Sequence, residues 1–178
     1  MNNSLSLSAM SQTLSQNRWF WLLPAILCAL MLVGALFYQY VLDTYPCELC
    51  IYVRVWVIAI GLTSLLGLAL RQFLWAKIAL LLGMLALSYG LAQDVWVLLS
   101  IDYRWPTDGA CSFVAYFPEW APLDKWWPAM FEVQDLCQPT PYLIFKISMA
   151  DALAASCVFF FAFAVLGLID SLRFRQIN

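Results

Sequence analysis

Cys47-Glu48-Leu49-Cys50 and Arg54 stand at the mouth of an apolar run that reaches Leu70. A Cys-x-x-Cys pair is the unit of dithiol/disulfide chemistry. Placed where an apolar segment begins, it would find its redox partner in lipid rather than in water. On a helix starting near Cys47, positions 47, 50 and 54 follow an i, i+3, i+7 pattern and share one face. Arg54 then sits about one turn deeper than Cys50. A guanidinium keeps its charge there and needs an anionic or strongly polar partner. It would favour a nearby thiolate and stabilise negative charge developing on the oxygen of a lipid-soluble electron carrier. The amides at the helix N-terminus act in the same direction. Glu48 opposes this if it points inward, and does not if it faces water. The alternative for Arg54 is to snorkel to the interface or to pair with Glu48 or Asp94.

Four further cysteines are present, Cys28, Cys111, Cys137 and Cys157. Cys111 and Cys137 bracket an aromatic stretch. They are either a static staple for a loop with little core or a second redox pair that exchanges with a soluble protein. Cys28 and Cys157 lie inside apolar runs, where cysteine behaves as a small hydrophobe. The chain has no His, so a zinc site would need further ligands at metal spacing that it lacks. A thioredoxin-like reading would need a βαβ domain.

The elements that carry these residues follow from composition. Hydrophobic residues make up 64% of the chain and charged ones 11%, and mean hydropathy is +0.80; soluble domains carry about 25% charge. No basic patch suits nucleic acid. Four charge-poor runs have the length of a membrane span: 19–42, 50–70, 78–99 and 143–169. They are separated by short segments at 43–49 and 71–77 and by a long one at 100–142, with tails at 1–18 and 170–178. Arg18, Arg71, Lys77, Arg173 and Arg175 fall on one side with Asp170 as the only acid, so that side, with both termini, is expected to be cytoplasmic. The four cysteines at 47, 50, 111 and 137 then face an oxidising exterior. The expected fold is an all-α membrane protein: a four-transmembrane-helix bundle with a long periplasmic loop containing a short interfacial helix near Leu123 to Phe131. The N-terminal tail, rich in Ser, Asn and Gln, is expected to lack fixed structure. The loop is rich in Pro and Trp and too poor in aliphatic residues for a core of its own, and its Trp rings suit a bilayer interface.

The run Cys47-Glu48-Leu49-Cys50-Ile51-Tyr52-Val53-Arg54, then Cys111, then Phe117-Pro118-Glu119-Trp120-Ala121-Pro122-Leu123-Asp124-Lys125-Trp126, then Cys137 closely resembles the DsbB family of bacterial inner-membrane thiol:quinone oxidoreductases. The resemblance extends from the first span to the last. It implies redox-active disulfides Cys47–Cys50 and Cys111–Cys137, and a DsbA-like periplasmic thiol oxidase as partner, attacking at Cys111. Electrons would pass to Cys47–Cys50 and on to membrane quinone: ubiquinone, or menaquinone under anaerobic conditions, with no metal. The family's quinone-site Arg falls on Arg54, and Cys50 would contact the quinone. Two positions depart from the familiar pattern: Val53 stands where an acidic or polar residue is common, and Glu48 where an apolar residue or Pro is usual.

Two other classes share some of these features. Vitamin K epoxide reductase-like proteins carry the loop pair before the Cys-x-x-Cys, whereas here it follows. A structural four-span protein of the tetraspanin kind needs no Cys-x-x-Cys beside an intramembrane Arg, and the long loop has no Cys-Cys-Gly.

Overall fold

The computed structural model describes residues 14–106, 112–137, 139–140, 142–144 and 147–177. Cys111 and the tail up to residue 13 lie outside the described residues. Four helices are long and apolar enough to cross a membrane: α1 (Arg18–Val41), α2 (Glu48–Leu70), α3 (Leu74–Asp102) and, after the loop, α6 (Met149–Ile177). Between them lie two single-turn helices, α4 (Leu123–Trp126) and α5 (Pro128–Phe131), and an antiparallel two-stranded hairpin, β1 (Tyr142–Ile144) with β2 (Ile147–Ser148). Among the described residues this hairpin is the only strand structure, and the regular structure is otherwise helical.

Each long helix is apolar around its whole circumference, as required when one face meets protein and the other meets lipid. On α1, Phe20, Trp21, Pro24 and Cys28 are buried, while Leu23, Leu30 and Val33 are at least half exposed. Helix α1 packs on α2, α2 on α3, and α3 on α6. Phe20 of α1 stacks on Phe163 of α6 with ring centroids 3.9 Å apart. Small residues set the closest approaches. A Cβ at Gly90 would lie 2.7 Å from the Trp56 ring, and one at Gly67 would fall inside the fully buried ring of Trp21. Gly67→Ala is therefore expected to destabilise the bundle by about 1–3 kcal/mol through overpacking. Gly34→Ala, where a Cβ meets nothing within 4 Å, should be neutral or slightly stabilising. Thermal unfolding of the two variants in detergent checks the contrast.

Three expectations need correction. First, the run beginning at residue 143 does not start a helix; α6 begins at Met149. The reason is a capping box: the Asp151 amide donates to Ser148 Oγ at 3.1 Å, and the Ser148 amide to Asp151 Oδ2 at 3.1 Å. Reciprocal caps of this kind fix a helix start, and the apolar residues before it pair as strands. Second, the end of the tail is ordered. Leu14–Gln16 forms a 3-10 turn with Ser15 fully buried. Lys77, expected in a solvated loop, lies in α3 at 1% exposure. Its Nζ donates to Ser15 Oγ at 3.3 Å, Trp21 Nε1 donates to Ser15 O at 2.9 Å, and the Ser15 amide donates to Asp170 Oδ2 at 2.9 Å. Ser171 Oγ lies 3.2 Å from Ser15 Oγ. This polar plug closes the Lys/Arg-bearing end of the bundle. Third, the stretch 123–131 is two turns rather than one helix. Trp127, at φ −144°, precedes Pro128, and a residue before proline is driven out of the helical region.

The long loop also finds a core by borrowing one. Ala115 and Phe131 are buried with Ile51 of α2, and Phe117, Leu123 and Met130 pack around them. Phe117 and Phe131 of the loop thus pack with Ile51 of α2, the residue that follows the Cys-x-x-Cys.

Candidate functional site

The chain turns sharply after α1 at Asp43, whose φ is 50°, and re-enters the bundle through Pro46. Cys47 is the N-cap of α2, with extended backbone at φ −84° and ψ 172°. Its sulfur accepts the Cys50 amide at 3.4 Å, so a thiol sulfur occupies the position where an N-cap oxygen usually sits. The two sulfurs are 2.7 Å apart and both cysteines are free thiols; a disulfide would bring them to about 2.05 Å. The hydrogen bond with Cys50, and then burial, push the Cys47 thiol above its ordinary pKa.

Cys47, Cys50 and Arg54 line one cavity of about 380 Å³, as their spacing predicts. Its helical walls are apolar (Met31 and Leu32 of α1, Val53 and Val57 of α2, Leu98 of α3, Leu153 of α6), and its loop side carries Asp43 and Asp135. Arg54 neither snorkels nor pairs with an acid. It is 5% exposed, and its Nη1 donates to Gln39 Oε1 and to the Met130 carbonyl, each at 2.9 Å. Its Nε is buried with no hydrogen-bond partner among the described residues. Asp94 instead accepts from Trp56 Nε1 at 2.7 Å. A guanidinium in a cavity wall fits an acceptor oxygen of a bound ligand, and the apolar part of the lining fits a lipid-soluble ring.

Gln39 was not singled out from the sequence. It is buried, and besides accepting from Arg54 its amide nitrogen lies 3.4 Å from Ala129 O and 3.3 Å from Gln134 Oε1. The neighbouring Tyr40 hydroxyl donates to Ala129 O at 2.6 Å. The available signal was a lone amide near the end of an otherwise apolar span, which needs a partner. Glu48 points neither to the cavity nor to open water. It is buried, and its carboxylate is engaged by the loop.

Cys137 is disulfide-bonded, half-buried and packed against the main core. The chain ahead of it is tied to the residue before Cys47, because the amides of Gln134 and Asp135 donate to the Pro46 carbonyl at 3.0 and 3.3 Å. Cys28 and Cys157 are buried free thiols away from this cavity's lining.

Residues 17–167 match the family model described as "Disulfide bond formation protein DsbB". Among curated relatives, Disulfide bond formation protein B 2 of Pseudomonas aeruginosa is 38% identical over 136 residues, covering 75% of this chain and 80% of the relative. Disulfide bond formation protein B of Shewanella frigidimarina is 32% identical over 145 residues, covering 78% and 82%. That of Yersinia pestis is 30% identical over 156 residues, covering 88% of each. A Cys-x-x-Cys capping a membrane helix, a buried arginine in the same cavity and this sustained similarity lead to one conclusion: the chain belongs to the DsbB family, the membrane-embedded disulfide bond formation proteins that oxidise thiols at the expense of quinone.

Proposed function

We propose that this protein reoxidises a DsbA-like periplasmic thiol oxidase and passes the electron pair to ubiquinone, with menaquinone as the anaerobic alternative. The observation that carries the reading is the single cavity lined by Cys47, Cys50 and the buried Arg54. Quinone, when bound, accepts two electrons and two protons. Arg54, held by Gln39 and the Met130 carbonyl, presents fixed positive charge to the cavity it shares with Cys50 and would favour the thiolate form of that sulfur during turnover. Charge preorganised in a dry site costs no rearrangement during reaction.

The second redox pair in this proposal is Cys111–Cys137. Support comes from Cys137 being disulfide-bonded while Cys28, Cys47, Cys50 and Cys157 are free. A thiolate of the DsbA-like protein attacks Cys111, and Cys137 leaves as a thiolate. The site faces the periplasm and both termini face the cytoplasm, a reading supported by Arg18 and Arg71 lying at the opposite end of the bundle from Cys47. The exposed rings of Trp120, Trp126 and Trp127 sit at the headgroup level of the bilayer.

The test is quinone absorbance during turnover of the purified protein, with a reduced DsbA-like protein as donor and each quinone class in turn. Loss of quinone absorbance is expected. No turnover, with all disulfides unchanged, overturns the reading. Cys137→Ser should accumulate a mixed disulfide with the donor through Cys111, visible on non-reducing gels. Formation of that complex in Cys111→Ser would reverse the assignment of the entry sulfur.

A further inference from the structure

Glu48 occupies the first position of α2, between the two cysteines, and is buried. A buried carboxylate needs partners. Here Oε2 accepts the Ser112 amide at 2.6 Å and Oε1 accepts the Tyr52 hydroxyl at 3.0 Å. The Tyr52 oxygen in turn accepts the Tyr116 amide at 2.8 Å. Glu48 and Tyr52 stand one helical turn apart, and the two loop amides are also four residues apart. The loop is therefore pinned at two points along α2, with Ala115 buried against Ile51 between them. The amide held by Glu48 is the one that joins residue 112 to Cys111. On the other side of Cys47, the Pro46 carbonyl holds the amides of Gln134 and Asp135, just ahead of Cys137. The residues before and after Cys47 thus each anchor a chain segment that leads to one loop cysteine.

We propose that Glu48 is a positioning residue for thiol–disulfide exchange between the loop cysteines and Cys47–Cys50, acting through the Ser112 amide. The proposal rests on the relay described above. In that exchange one loop thiolate attacks a sulfur of the Cys47–Cys50 disulfide, breaking that bond, forming a mixed disulfide and releasing a thiolate. The second loop thiolate breaks the mixed disulfide and closes Cys111–Cys137. The electron pair and two protons end on Cys47 and Cys50. Holding both segments in one frame raises their effective concentration and fixes the approach of sulfur to sulfur. A backbone carbonyl supplies one anchor whatever the sequence. The other depends on the side chain at position 48, which Leu49 could not replace.

The test uses the full-length protein in lipid nanodiscs, as wild type, Glu48→Leu, Glu48→Gln and Tyr52→Phe. Three single-turnover rates are followed by rapid alkylation and mass spectrometry: donor to loop pair, loop pair to Cys47–Cys50, and pre-reduced Cys47/Cys50 to quinone. Glu48→Leu should slow the middle step by about tenfold or more and leave the outer two unchanged. Glu48→Gln keeps an acceptor oxygen and should restore it, with Tyr52→Phe between. Hydrogen exchange at the Ser112 amide should be fast in Glu48→Leu and protected in Glu48→Gln. A middle step equal to wild type in Glu48→Leu, or all three steps slowed alike, overturns the positioning role. A wild-type protein in which electrons never pass from the loop pair to Cys47–Cys50 overturns the relay itself.

Discussion

Replacing Cys50 with serine should reduce thiol-driven quinone reduction by about four orders of magnitude or to the uncatalysed background, in a protein that still folds. Serine can neither form a disulfide nor carry an electron pair as a thiolate, so the step between the loop pair and the carrier has no route. The substitution is structurally mild. Cys50 is half-buried, and the N-cap that holds the start of α2 is supplied by Cys47, not Cys50. Quinone absorbance with a reduced thiol donor is the measurement, with thermal unfolding in detergent as the control for folding. Turnover retained in Cys50→Ser would remove Cys47–Cys50 from the electron path.

Arg54→Met should lower kcat/KM for quinone by about 10²–10³-fold while the first-turnover oxidation of the thiol donor is unchanged. The split follows from position: Arg54 lines the cavity, whereas the donor meets the loop. Methionine fills much of the same volume but leaves Gln39 Oε1 and the Met130 carbonyl without their donor. Stability should therefore fall by about 1–3 kcal/mol, a loss that unfolding experiments measure separately from quinone kinetics. Arg54→Lys should restore little. An ammonium is a point charge and cannot serve Gln39, the Met130 carbonyl and a ligand oxygen from one planar fork. Unchanged quinone kinetics in Arg54→Met would confine the residue to joining α1, α2 and the loop.

Much of this was readable before any coordinates. Uninterrupted apolar runs of span length leave little choice but membrane helices, and the spacing of 47, 50 and 54 places three side chains on one helix face by geometry alone. What escaped was everything decided by contacts across long sequence separations. Gln39 reaches Arg54 and Gln134, and nothing local to either residue announces the meeting. The direction of Glu48 was open because its partner, the Ser112 amide, lies 64 residues away. Lys77 read as a solvated end charge because its partner Ser15 sits in a polar tail that looked structureless. The loop seemed unable to form a core because half of that core belongs to α2. The start of α6 is different in kind: Ser148 and Asp151 spell a capping box in the sequence, but the apolar residues before it extend the hydropathy run past the helix start.

The plug at the far end of the bundle has a consequence for how the chain is made. Ser15 leaves the ribosome early, yet its amide bonds to Asp170, 155 residues later, and its hydroxyl meets Ser171, 156 residues later. The turn at Leu14–Gln16 cannot complete its bonds until α6 has been synthesised and inserted. Closing so long a separation costs only slowly growing entropy, and less once the intervening helices are in place. Residues near one end of the sequence are thus held by residues near the other, and the seating of Ser15 waits on the insertion and packing of α6.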